Sequence, residues 1–139
     1  DENKKYTESN NTVSSLNNKK LSILIVDDDI NVLDSIKSFL LNLGCKVLTA
    51  NNGITALQIF EKNVATIDLV ILDVIMPDLN GIVLYEKIKK MKPEIKCIFI
   101  SGYNLRVMQE IENIPDDVPF IQKPITSFSL VETINKIFT

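Results

Sequence analysis

The chain has no histidine, only two cysteines and only four glycines among its 139 residues. Cys45 and Cys97 lack CxxC spacing and have no histidine with which to share a metal. They read as small buried hydrophobes in a reducing cytoplasm, not as a zinc site or a disulfide. The four glycines form neither GxGxxG nor a Walker sequence, which sets aside phosphate-cradling nucleotide sites. No apolar run approaches the roughly 20 residues of a membrane span. Clustered basic charge is missing too. Residues 1–20 carry a net +1, which leaves −4 on residues 21–139 of the chain's −3, so that segment lacks the Lys and Arg density that phosphate contacts of nucleic acids need.

The first twenty residues also lack an apolar pattern. They hold five Asn, four Lys and three acidic residues, with Tyr6, Val13 and Leu16 scattered among them. This composition reads as a disordered arm or linker and contains no signal peptide. The chain does not begin with methionine, so the arm is read as a linker from a domain upstream. The remaining 119 residues suffice for one domain with a real core.

That domain is organised around residues 69–81, Leu-Val-Ile-Leu-Asp-Val-Ile-Met-Pro-Asp-Leu-Asn-Gly. Four apolar residues run into Asp73, the pattern of a parallel strand buried on both faces and ending at its carboxyl edge. Pro77 and Asn80-Gly81 then hold the chain in a loop before the next helix. The same alternation recurs along the chain. Strands are expected at 21–26, 46–50, 69–72, 95–100 and 118–121. Helices are carried by Leu33, Ile36, Leu40 and Leu43, ending at Gly44; by Ala56, Leu57, Ile59 and Phe60; by Leu84, Ile88 and Met91; by Leu105, Met108 and Ile111; and by Leu130, Ile134 and Ile137. The fold class is therefore α/β: a doubly wound, flavodoxin-like (βα)5 domain over residues 21–139, with a five-stranded parallel sheet in order 2-1-3-4-5 and helices on both faces.

In such a sheet the carboxyl ends of strands 1, 3, 4 and 5 bring together Asp27, Asp28, Asp73, Ser101 and Lys123. Each has a structural reading by itself: Asp27 to Asp29 as turn or N-cap residues, Asp73 as a turn, Ser101 as a cap, Lys123 as a solvated charge. As a set they are chemically specific. Crowded carboxylates need a cation to remain ionised together, and a hard ion with oxygen ligands such as Mg²⁺ suits them. A phosphoryl group held between that ion and Lys123 leaves one carboxylate free for in-line attack, which is acyl-phosphate chemistry.

These residues and their neighbours resemble the receiver domain of two-component response regulators. The resemblance rests on Ile25-Val26-Asp27-Asp28-Asp29, on Asp73-Val74-Ile75-Met76-Pro77 continuing to Gly81, on Ile100-Ser101-Gly102-Tyr103 and on Phe120-Ile121-Gln122-Lys123-Pro124. It implies that Asp73 is the phosphoacceptor, that Asp28 and Asp73 bind Mg²⁺ directly, that Asp27 does so through water, and that the Ile75 carbonyl is a further ligand. It also implies that Lys123 and Ser101 hold the phosphoryl group and that the Lys123-Pro124 bond is cis. The implied role is that of a cytoplasmic, phosphorylatable signalling domain rather than a turnover enzyme. Its partners would be a sensor histidine kinase or histidine phosphotransfer protein and a downstream protein.

Three features around the site carry further expectations, two of them departures from the family pattern. Phe120 replaces the more usual tyrosine, which implies a weaker or inward-biased switch. Ile75 and Tyr103, beside the phosphoryl position, are bulky and cannot orient a hydrolytic water as a carboxylate or amide could, which implies slow self-dephosphorylation. Ile111-Glu112-Asn113-Ile114-Pro115 replaces the common Ala-x-Gly-Ala, so the output face there is not inferred. The chemical alternative is a phosphohydrolase of haloacid dehalogenase type with Asp27 as nucleophile. That reading leaves Asp73 without a role, lacks a cap segment and finds Asn31 where that family has Thr or Val.

Overall fold

The computed structural model describes residue 16 and residues 20–138; most of the arm expected at residues 1–20 lies outside them. In chain order the elements are β1 (Ser22–Val26), α1 (Ile30–Asn42), β2 (Lys46–Ala50), α2 (Gly53–Lys62), β3 (Leu69–Asp73), α3 (Gly81–Met91), β4 (Lys96–Ser101), α4 (Leu105–Glu112), β5 (Phe120–Gln122) and α5 (Ser127–Ile137). The strands form one parallel sheet in the order β2-β1-β3-β4-β5.

Alternation along the strands divides the core into two layers, because successive side chains point to opposite faces. Leu24, Val26, Val70, Leu72 and Phe99 pack with Ala56 and Phe60 of α2, Leu84 and Ile88 of α3 and Met108 of α4. Ile23, Ile25, Leu69, Ile71, Ile98 and Ile100 pack with Leu33, Ile36 and Leu40 of α1 and Leu130 and Ile134 of α5. Helices α2, α3 and α4 thus cover one face, and α1 and α5 the other. β3 is buried along its whole length, as its continuous apolar run requires. Leu16 is half-buried and packs on the α1–α5 layer.

Local chemistry sets the helix starts. Asp29 caps α1, its carboxylate accepting from Asn31 N at 2.9 Å. Asn52, Asn80, Asn104 and Thr126 cap the other four in the same way. The loop reading of Asn80-Gly81 changes as a result. Asn52-Gly53 and Asn80-Gly81 serve as cap and first helical residue, so α2 and α3 begin at the glycines themselves. β5 starts two residues later than expected and includes Gln122. α4 buries only Met108, while Ile111 is 64% exposed.

Candidate functional site

Strand endings assemble the site. Asp27 directly follows β1, Asp73 and Ser101 end β3 and β4, and Lys123 directly follows β5. The sheet register holds these ends level: Val26 pairs with Leu72, Asp73 with Ile100, and Ser101 with Gln122. Backbone bonds extend the ladders beyond the strands, with Val74 N donating to the Ile100 carbonyl at 3.0 Å and Lys123 N to the Ser101 carbonyl at 2.7 Å. All five expected side chains therefore meet at one carboxyl edge, where open α/β sheets bind ligands.

The charges there are close and poorly hydrated. Asp27 is fully buried, Asp73 is 5% exposed, and Asp28 is exposed at the mouth. One carboxylate oxygen from each of the three lies within 4.8 Å of the others. The Lys123 ammonium sits 2.8 Å from Asp27 Oδ2 and 3.3 Å from Asp73 Oδ2. Asp27 Oδ1 accepts from Asp29 N at 2.9 Å, whereas Oδ2 accepts no hydrogen bond of good geometry and is only ion-paired. Asp73 Oδ1 accepts from Ile75 N at 3.3 Å.

Burial, and next the charge of Asp27, push the Asp73 carboxyl up to about 7, and Lys123 offsets this only in part. For Lys123, burial works against the charged form, but contact with the two aspartates outweighs it and holds the ammonium's pKa above its ordinary value. Two buried carboxylates thus share one ammonium. Net negative charge, all-oxygen donors and an exposed carboxylate at the mouth are consistent with a site for a hard divalent cation.

Ser101 is 1% exposed. Its hydroxyl accepts from Tyr103 N at 3.1 Å and lies 3.4 Å from the sulfur of buried Met108. Ile75 and Tyr103 are 42% and 56% exposed, and Phe120 is half-buried against the α2–α4 layer. The Lys123-Pro124 peptide bond is cis.

Other contacts at this edge were not evident in the sequence. Asn80 caps α3 through Oδ1 and donates its amide to Glu112 Oε1 at the end of α4. Asp78 accepts from Gly53 N and Ile54 N, both at 3.1 Å. Gly81 lies so close to the end of β3 that a Cβ there would fall 2.2 Å from the Asp73 carbonyl oxygen. Only the Asn-Gly pair hinted at any of this, and it indicated a turn. The partners 25 and 32 residues away leave no local signal.

Among the described residues no helix is long and apolar enough to cross a membrane. Residues 23–135 match the family model of the response regulator receiver domain. The chain is 32% identical over 116 residues to the sensor kinase CckA of Brucella abortus, covering 82% of this chain and 12% of that protein. It is 29% identical over 123 residues to the response regulator SaeR of Staphylococcus aureus, covering 84% of this chain and 50% of that one. It thus spans about half or less of these curated relatives. Among solved structures, the receiver domain of the hybrid histidine kinase CckA is 35% identical with a TM-score of 0.72, covering 85% of this chain and 99% of that one. A response regulator receiver domain protein from Clostridium thermocellum is 33% identical with a TM-score of 0.75, covering 84% and 93%. Neither the fold nor these relatives support the haloacid dehalogenase alternative, and Asp73, idle in that reading, is one of the three carboxylates of the acidic cluster. The chain belongs to the response regulator receiver domain family and is a phosphoacceptor signalling domain.

Proposed function

We propose that Asp73 is the phosphoacceptor, taking a phosphoryl group from a phosphohistidine on a sensor histidine kinase or histidine phosphotransfer protein. The observation that carries this reading is the shared ammonium: Lys123 lies 2.8 Å from Asp27 and 3.3 Å from Asp73. An Asp73 oxygen attacks phosphorus, the bond from phosphorus to the imidazole nitrogen breaks, and the imidazole leaves with the electron pair. Lys123 neutralises the phosphoryl oxygens, and the Ser101 hydroxyl, at the end of the adjacent strand, hydrogen-bonds one of them.

Asp27, Asp28, Asp73 and the Ile75 carbonyl would hold Mg²⁺. When bound, the ion supplies charge neutralisation for the incoming phosphoryl group. The fit rests on the three clustered carboxylates, two of which are buried and share a single ammonium. Residues 21–139 form the receiver and residues 1–20 an arm or linker. The buried free thiols of Cys45 and Cys97 suit a reducing cytoplasm, where such donors act. Burial pushes the Cys97 thiol up to about 12, consistent with an inert core residue.

The domain then acts as a phosphorylatable switch that signals a downstream protein, not as a turnover enzyme. Transfer from a phosphorylated sensor kinase core tests the reading. In the presence of Mg²⁺ the wild-type chain should acquire one phosphoryl group and Asp73→Asn none. Equal transfer to both would refute it.

A further inference from the structure

The loop between β3 and α3 follows directly on Asp73 and carries Ile75, two of the cation ligands proposed above. Nothing within residues 74–80 is regular secondary structure, so its shape depends on what holds it. At one end it is fixed by close packing. Gly81 N donates to the Val74 carbonyl at 2.8 Å, and a Cβ at Gly81 would meet Asp73 and Val74 backbone atoms at 2.2 to 2.9 Å.

The loop's outer half is held by a different helix. Both Asp78 carboxylate oxygens are engaged, Oδ1 by Gly53 N and Oδ2 by Ile54 N. These are the first two amides of α2, which have no partner within the helix. Next to this contact Leu79 lies against Gly53, where a Cβ would fall 2.5 Å from Leu79 Cβ. The fork is not needed to start α2, because Asn52 already caps it by accepting from Thr55 N at 2.8 Å. The Asp78 carboxylate itself is acidified, chiefly by the Gly53 amide, so it is ionised and a strong acceptor across the neutral range.

We propose that Asp78 is a positioning residue for the cation site: its two-pronged bond to α2 fixes the loop so that the Ile75 carbonyl and the Asp73 carboxylate face the same ion. This inference rests on the assignment of Asp27, Asp28, Asp73 and Ile75 as the Mg²⁺ ligands. The Ile75 amide already bonds Asp73 Oδ1, so a loop that drifts from α2 takes with it both a ligand and the group orienting another. Partners that orient metal ligands are typically worth tenfold or more in affinity.

The test is Mg²⁺ binding to the intact chain by isothermal titration calorimetry, with thermal melts in EDTA alongside. Four proteins are compared: wild type, Asp78→Ala, Asp78→Asn and Asn52→Ala. Asp78→Ala should weaken Mg²⁺ about tenfold. Asp78→Asn, which keeps one acceptor oxygen, should lose less. Asn52→Ala removes a cap from the same helix without touching the loop, so it should lower the melting temperature while leaving Mg²⁺ affinity unchanged. The proposal is overturned if Asp78→Ala and Asp78→Asn melt lower but bind Mg²⁺ like wild type, since Asp78 would then only cap α2. It is also overturned if Asn52→Ala weakens Mg²⁺ as much as Asp78→Ala. Failure of the underlying ligand assignment looks different: wild type itself would then bind no Mg²⁺, or bind it equally well after Asp27→Asn and Asp73→Asn.

Discussion

Replacing the residue proposed to do the chemistry should make the metal-free protein more stable. Asp73 is 5% exposed beside Asp27, and its carboxyl is raised from 3.8 to about 7. Below pH 3.8 the group is protonated in both the folded and unfolded chain, and it takes nothing from stability. Between that value and about 7 the unfolded chain has released the proton while the folded protein still binds it, so stability falls as pH rises. Above 7 the full penalty applies. A difference of about 3 pKa units, at 1.36 kcal/mol each, is about 4 kcal/mol. Asparagine removes that penalty, which is already net of the favourable contact with Lys123. The net expectation for Asp73→Asn is therefore a gain of about 4 kcal/mol at pH 8, shrinking to about 2 kcal/mol by pH 5. Urea unfolding followed by circular dichroism, in EDTA and from pH 5 to pH 8, measures it. Saturating Mg²⁺ should reverse the order by stabilising the wild type alone. A variant less stable than wild type at pH 8, or a gap that does not change with pH, would refute the electrostatic account of the cleft.

The same geometry sets three further outcomes. Lys123→Met leaves Asp27 and Asp73 without their shared counter-ion; with the lysine partly exposed, the expected loss is about 1–3 kcal/mol in EDTA by urea unfolding, smaller when Mg²⁺ is present. Gly81→Ala forces a Cβ into the Asp73 carbonyl, where backbone must move, so it should lose about 2–4 kcal/mol by the same assay and phosphorylate more slowly. Exposed Ile75 and Tyr103 offer no carboxylate or amide to orient water, so the phosphorylated protein should hold its phosphoryl group for minutes or longer. Ile75→Asn, monitored by loss of phosphoprotein over time, should shorten that lifetime about tenfold or more.

The strands and the residues that end them were legible in the sequence because each rests on local pattern, and the doubly wound fold class then supplied the strand order that brings those ends together. A buried parallel strand is a continuous apolar run, and the residue that ends it lies at a known edge. Helix starts were less legible. Asn52-Gly53 and Asn80-Gly81 look like turns, and their service as caps depends on how the helices after them pack against the sheet. Ile111 stands on the apolar period of α4 yet is exposed, because an eight-residue helix at the sheet's flank presents only Met108 to the core. The bonds from Asp78 to α2 and from Asn80 to Glu112 were not legible at all. They join residues whose partners are chosen by the packing of whole helices, and no spacing rule marks them.

The central claim is that one oxygen, on Asp73, accepts the phosphoryl group while its neighbours hold charge. Incubation with a small-molecule phosphodonor and Mg²⁺, then mass spectrometry of the intact and digested protein, addresses it directly. One phosphoryl group on the peptide containing Asp73, absent from a folded Asp73→Asn, is the predicted result. Label that persists in Asp73→Asn, or that maps to Asp27 and disappears only in Asp27→Asn, would contradict it.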